Sequence, residues 1–244
     1  MKQAFQGADA VYTLLPYKVG EPNYRATQTL LGEAIIEGIR GSGVKNVVFV
    51  SSLGADQPAG TGMIDTMREL EQRLRSLVKS TPGLNVLCLR AGSFFENFYA
   101  ALDVIKHEGI NADAVHPDLP IPMIASSDIA DAAVAALTAR DWQGFVVREL
   151  LGQRDLSYAE ATRILGERIG LPELQYVQLS YDDLEQTLRA GGFAADVAPL
   201  YVDIARAVNE GRIKTLEGRN ASNTTATRFE AFAEELARAY GEKS

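Results

Sequence analysis

Three short runs of almost uninterrupted apolar residues, each separated from the next by a helical pattern, are the feature that most constrains how this chain folds. The runs are Ala10–Leu15, Val47–Val50 and Val86–Leu89. Apolar residues recur at helical spacing from Tyr24 to Arg40 and again from Ile64 to Leu77. Strands buried on both faces are typical of parallel sheets, because the connecting helices cover both sides. The pattern therefore predicts an α/β fold built on a parallel sheet.

The sequence beyond Arg90 has a different texture, with an aromatic segment from Gly92 to Asn97 and three prolines within residues 117–122. A Ser-x-x-Glu capping box at Ser157–Glu160 predicts one helix start, and a similar box at Thr227–Glu230 predicts the last one. Further elements are predicted in between. They are a helix from Asp128 through Ala136, strands at Phe145–Leu151 and Tyr176–Leu179, and helices at Asp182–Arg189 and Val197–Asn209.

Composition excludes several classes of protein. The 24 Lys and Arg against 32 Asp and Glu give a net charge of −8, and a nucleic-acid-binding surface needs clustered positive charge. The single cysteine, Cys88, allows no intrachain disulfide, and His107 and His116 have no partner at metal-ligand spacing. No secretory signal opens the sequence, and no stretch approaches the ~20 apolar residues of a membrane helix. We therefore expect a cytoplasmic protein without a metal, nucleic-acid or membrane partner.

Three motifs, in order and in register, resemble the NmrA-like family, which are atypical relatives of the NAD(P)-binding short-chain dehydrogenases. They are Gly7–Pro16, Val47–Ala55 and Leu89–Asn97, and the later segments Pro120–Ala125, Ser127–Asp131 and Arg148–Gly152 also fit. The resemblance implies a Rossmann-like parallel sheet with a smaller C-terminal α/β substrate lobe. It divides the chain into residues 1–92, the remaining part of an NAD(P)-binding domain, and residues 93–244, a mostly helical lobe with some strands returning to the main sheet.

The resemblance also implies a Gly-rich turn that binds the cofactor pyrophosphate at a helix N-terminus, and the sequence shows no such turn near its start. The dense glycines, Gly54, Gly60 and Gly62, follow a different strand. At ~30 residues for a strand–helix–strand unit, the absent first three strands would take roughly 60 to 70 residues. We therefore expect a sheet truncated at its N-terminal half, through a real loss or a misplaced start codon, and doubtful NAD(P) binding.

Ligands of open α/β sheets bind outside the carboxyl ends of the strands, which locates the candidate residues. The predicted cofactor-binding set is Leu15, Pro16, Tyr17, Ser51, Ser52, Arg68 and Gly92. Conventional relatives carry a catalytic Tyr-x-x-x-Lys pair on the helix after the second strand, but here Ile64 and Arg68 stand at about those positions. A guanidinium stays protonated, so Arg68 could hold an anion but is a poor acid. Ser52 and Arg68 remain the catalytic candidates, with an exposed helix cation as the alternative for Arg68.

Phe94, Phe95 and Asn97 are predicted to line a substrate pocket, with core between the two lobes as the equal alternative. The resemblance implies an NAD(P)H-dependent oxidoreductase for a small carbonyl or quinone. Two alternatives stay open, a non-catalytic dinucleotide sensor that binds a protein partner and a truncated chain without cofactor binding. If the first three strands are absent, Ala10–Leu15 becomes an exposed sheet edge. We then expect a homodimer or other self-association, or C-terminal helices that cover this edge.

Overall fold

The computed structural model describes residues 2–242. Its helices are α1 Lys2–Phe5, α2 Tyr24–Ser42, α3 Ile64–Ser80, α4 Ala101–Glu108, α5 Ser126–Ala139, α6 Tyr158–Arg168, α7 Tyr181–Ala190, α8 Ala198–Asn209 and α9 Phe229–Glu242, with a 3-10 helix at Phe95–Ala100. Its strands are β1 Ala10–Leu14, β2 Asn46–Ser52, β3 Asn85–Ala91, β4 Ser93–Phe94, β5 Ile110–Asp113, β6 Ile121–Ile124, β7 Phe145–Leu150, β8 Asp155–Leu156 and β9 Gln175–Gln178.

The main sheet has the strand order β1-β2-β3-β7, and all its pairings are parallel. Leu14 of β1 lies opposite Val50 of β2, which lies opposite Leu89 of β3. The predicted Rossmann-like parallel sheet is therefore confirmed. Strand β7 returns to this sheet from beyond residue 92, while the division of the chain at that residue stays a prediction.

Helices cover the two faces of the main sheet, which explains the uninterrupted apolar strands. Val47 and Phe49 point to the face covered by α2 and α3, where Leu74 of α3 is also buried. Val48 and Val50 point to the opposite face, which packs against Ile129 and its neighbours on α5. Each such buried side chain contributes roughly 1.5–3 kcal/mol to stability. Alternate residues of each strand thus face two different cores, which explains the unbroken apolar run from Val47 to Val50.

Strand β1 is an edge of this sheet, and none of the strands within residues 2–242 pairs with its outer side. Val11 and Thr13 are buried, whereas the side chains of Tyr12 and Leu14 are 44% and 42% exposed. Helix α5 contacts β1, but Tyr12 and Leu14 stay partly exposed, so helices from the later part of the chain cover this part of the sheet incompletely.

The second lobe has its own core, where α6 and α9 pack on the 3-10 helix. Its strands are short: β6 pairs with β4 and β8 over two residues each, and β5 pairs with β9. Sequence patterns missed β5, β6 and α4. Strand β6 contains Pro122, and a proline, which cannot donate to a ladder, argues against a strand.

One of the two predicted helix caps is confirmed and the other was wrong. The Ser157 hydroxyl accepts a hydrogen bond from the Glu160 N–H at the start of α6. The Thr227 hydroxyl instead donates to the Asp128 carboxylate at 2.6 Å, and the Thr227 N–H donates to the same group at 3.1 Å. Both bonds go to one carboxylate, so Thr227 ties the segment before α9 to the start of α5.

Candidate active site at the carboxyl edge of the sheet

The strand register brings the predicted site residues to one edge of the main sheet. Ser51 lies opposite Arg90 and Ser52 opposite Ala91, and Gly92 follows directly. Because β1 ends at Leu14 opposite Val50, the residues that follow it emerge at the same edge. These are the predicted Leu15, Pro16 and Tyr17. The topology therefore groups the strand-end candidates as expected, although the Leu15 side chain itself is buried in the core.

Ser51 is engaged in a buried ionic network that sequence patterns did not reveal. Its hydroxyl donates to the Glu71 carboxylate of α3 at 2.6 Å. Arg90 of β3 donates two hydrogen bonds to the same carboxylate, at 3.0 and 2.6 Å, and lies 3.7 Å from Asp56. Burial lowers the pKa of Arg90, but the bonds and charge of Glu71 outweigh it and raise the pKa above its ordinary value. The Ser51 proton is thus donated within this network and is not free to bind a ligand.

Arg68 lies one turn further along α3 than Ile64, is half-buried and forms no hydrogen bond or ion pair with any residue of the described range 2–242. Its neighbour Met67 receives a hydrogen bond from the Tyr17 hydroxyl at 3.7 Å, which places Tyr17 over this part of α3. The Ser52 hydroxyl donates to the Leu53 carbonyl at 2.9 Å. A half-buried cation without a partner is suited to holding an anionic group.

The Gly-rich loop after β2 is explained by packing. Gly54, Gly60 and Gly62 have φ values of +88°, +81° and +62°. A Cβ atom on Gly62 would lie 1.8 Å from the Leu200 carbonyl oxygen of α8, and one on Gly54 would lie 2.9 Å from Ile213. The loop is therefore filled by other parts of the chain rather than open as a phosphate cradle.

Gly92 also marks a close approach of backbones. A Cβ atom there would lie 2.5 Å from the Pro122 carbonyl oxygen of β6, and its N–H donates to the Leu150 carbonyl at 3.0 Å. Its glycine identity is thus accounted for by the joint between the main sheet and the second lobe.

The three predicted pocket residues have different surroundings. Phe95 is 1% exposed and packs against Phe229 and Phe232, with ring centroids 5.1 and 5.5 Å away. Phe95 therefore lies in the core of the second lobe. Phe94 is half-buried against the core beneath α5. Asn97 is exposed, and its amide donates to the Ser93 hydroxyl at 3.4 Å.

A group of phenols beside this edge was not singled out from the sequence. The Tyr158 ring is stacked between Phe98 and Tyr176, at centroid distances of 5.8 and 5.4 Å. Asp113, at the end of β5, lies near Tyr201 of α8, and burial raises the pKa of this carboxyl to about 6. Tyrosines spread over β9, α6 and α8 carry no common sequence signal, so only the packing of the lobe brings them together.

Two kinds of feature are absent from residues 2–242. No three His, Cys, Asp or Glu side chains in that range are grouped so that they could hold a metal ion. No helix of the same range combines the length and apolar character needed to cross a membrane.

Comparison with known proteins decides the family. The sequence pattern of the NmrA-like family matches residues 1–233. This chain belongs to the NmrA-like family. Among curated proteins, this NmrA-like chain is 35% identical over 140 residues to "Uncharacterized oxidoreductase YesF" of Bacillus subtilis (strain 168), covering 57% of the chain and 47% of that protein. It thus spans about half the length of the curated relatives it matches.

Solved structures share the NmrA-like fold. The Escherichia coli NADPH-dependent quinone oxidoreductase QOR2, in complex with NADPH, has a TM-score of 0.75 at 22% identity, over 96% of this chain and 78% of that one. NmrA, a negative transcriptional regulator solved with NADP, has a TM-score of 0.69 at 16% identity, over 99% and 78%. At these identities the likeness establishes the fold alone.

The residues present do not fit a whole dinucleotide. An NAD(P) pyrophosphate needs a Gly-rich turn with free backbone N–H groups at a helix N-terminus, and residues 2–242 contain no such turn after β1. The positive-φ glycines after β2 are packed against Leu200 and Ile213. The candidate ligand site is therefore limited to the part of the carboxyl edge around Tyr17, Ser52 and Arg68.

Proposed function

We propose that this NmrA-like chain belongs to an NAD(P)H-dependent oxidoreductase that acts on a small carbonyl or quinone. The supporting observation is the half-buried, unpaired Arg68 of α3, a helix that Tyr17 contacts through Met67 from the carboxyl edge of the sheet, where α/β folds bind ligands. A matched curated relative is named an oxidoreductase, and a relative by fold is named a quinone oxidoreductase. The cytoplasm is the proposed location.

The sequence of α3 favours a second candidate, a dinucleotide-sensing regulator that binds a protein partner. The position four residues before Arg68 is Ile64, which is buried, so the helix offers no phenol there as a proton donor. A regulator named NmrA, solved with NADP, shares the fold. Loss of the Tyr-x-x-x-Lys pair is compatible with binding a cofactor without turnover.

We expect the purified 244-residue chain to bind NADPH weakly or not at all, because no described loop is shaped for the pyrophosphate. NADPH consumption in the presence of a small quinone, measured against NADPH concentration, tests both proposals. We expect slow consumption that does not saturate in the low micromolar range, and that falls further in Arg68→Met but not in Arg163→Met, which changes an exposed cation of α6.

Four outcomes separate the alternatives or test the role of Arg68. A dissociation constant in the low micromolar range by calorimetry would refute weak binding. Calorimetric binding without NADPH consumption at any concentration favours the sensor. If the chain neither binds nor consumes NADPH, it has no dinucleotide function. If Arg68→Met and Arg163→Met lower NADPH consumption equally, the role proposed for Arg68 is wrong.

We also propose that two copies associate through β1. Its unpaired outer edge and the exposed Tyr12 and Leu14 form one continuous feature. An open strand edge is a template for another strand, and in a two-fold arrangement the same strand supplies both sides of the contact. A second copy can therefore pair with β1 through its own β1, without any other complementary surface on the protein.

Leu14→Lys is expected to convert the dimer into a monomer, because it places a charge in the proposed contact. Leu30→Lys is the matched control, since Leu30 is also a surface leucine, 66% exposed, but lies on α2. Light scattering gives the mass of each variant. A monomeric parent chain, or dissociation by Leu30→Lys instead, would contradict an interface at β1.

A further inference from the structure

The phenols of the second lobe differ in what their hydroxyl protons do. Tyr176 donates its proton to the Val115 carbonyl oxygen at 2.7 Å. Tyr201 lies near Asp113, whose carboxylate accepts the N–H groups of Ala114 and Val115 at 2.6 and 3.3 Å. A phenol has one proton to donate, so the Tyr176 hydroxyl is already committed within the protein.

The Tyr158 hydroxyl is in a different situation. It lies near Ser93, whose oxygen accepts a hydrogen bond from the Asn97 amide at 3.4 Å. No hydrogen bond among residues 2–242 uses the Tyr158 proton, and this half-buried side chain keeps part of its surface accessible.

The location and rigidity of Tyr158 suit it to a ligand. Ser93 follows Gly92 directly, so the hydroxyl it contacts lies where β3 leaves the main sheet, at the edge that contains the candidate site. The Tyr158 ring is held between Phe98 and Tyr176, with interplanar angles of 29° on both sides. Donors fixed in this way lose little freedom when they bind. Burial, and next the charge of Asp113, raise the pKa of Tyr158, so the phenol keeps its proton at neutral pH.

We propose that Tyr158 is a substrate-binding residue whose hydroxyl donates a hydrogen bond to a carbonyl or quinone oxygen, with Ser93 and Asn97 as positioning residues. The substrate class rests on the proposed function, whereas the donor itself follows from the hydrogen-bond arrangement.

The test uses binding alone, without NADPH or turnover, so its failure is distinct from failure of the proposed function. The probes are 1-tetralone, an aromatic ketone, and tetralin, which has the same rings without the oxygen, measured by saturation-transfer NMR. We expect the parent chain to prefer tetralone, and Tyr158→Phe to weaken tetralone binding about three- to tenfold, the size of one hydrogen bond. Tetralin binding should not change.

Tyr176→Phe is the matched control, because it removes a neighbouring hydroxyl whose proton is committed to Val115. It should leave the preference for tetralone intact. Ser93→Ala should reduce that preference by a smaller factor than Tyr158→Phe while leaving tetralin binding unchanged, which a merely structural role would not produce. Circular dichroism verifies that each variant is folded. No preference in the parent chain, or equal losses in Tyr158→Phe and Tyr176→Phe, would overturn the assignment.

Discussion

Arg90→Met is expected to lower the free energy of unfolding by about 3–5 kcal/mol, because it leaves the Glu71 carboxylate buried without its partner. Both side chains of this pair are almost inaccessible, at 8% and 5% exposure. The loss is large beside a typical domain stability of ~5–15 kcal/mol. Urea unfolding followed by circular dichroism measures it.

A surface pair and a double variant provide the controls. Arg163→Met breaks the exposed Arg163–Glu167 pair on α6 and should cost less than about 1 kcal/mol. The double variant Arg90→Met with Glu71→Leu removes both charges and should recover much of the loss, because apolar pairs often replace buried ion pairs without penalty. If Arg90→Met and Arg163→Met cost the same, the network does not stabilise the junction of β2, β3 and α3.

Gly62→Ala should destabilise the protein by about 2–5 kcal/mol, the sum of left-handed backbone strain of ~1–2 kcal/mol and overpacking of ~1–3 kcal/mol. Gly62 has φ +62°, and the added Cβ would lie 1.8 Å from the Leu200 carbonyl oxygen, so α8 must move. Thermal unfolding of the purified variant gives the change.

The control for this substitution is Gly83→Ala. Gly83 has a similar φ of +76°, but nothing lies within 4 Å of the added atom. Gly83→Ala should therefore cost the strain of ~1–2 kcal/mol alone. Equal costs at the two positions would show that the loop after β2 does not need its close contact with α8, and would reopen the question of what its glycines are for.

The candidate site was predictable only in part. The strand ends supplied Tyr17 and Ser52, since parallel strands bring their carboxyl ends to one edge, and Arg68 was predicted from the helix that follows β2. The same logic could not separate Ser51, whose proton goes to Glu71, from Ser52. That distinction depends on which side chains of α3 and β3 meet in the core, and Glu71 looks in sequence like any solvated helix glutamate.

The sequence by itself determined the parallel sheet and its crossover helices, because a strand segment with an apolar core on both faces is apolar at successive positions, as Val47 to Val50 are. It also determined the capped start of α6 at Ser157, which is a contact across three residues. Tertiary structure alone decided the buried Glu71–Arg90 pair, the packing role of Gly62 and the grouping of Tyr158 with Ser93. Each of these joins residues from different elements, so no local pattern encodes it.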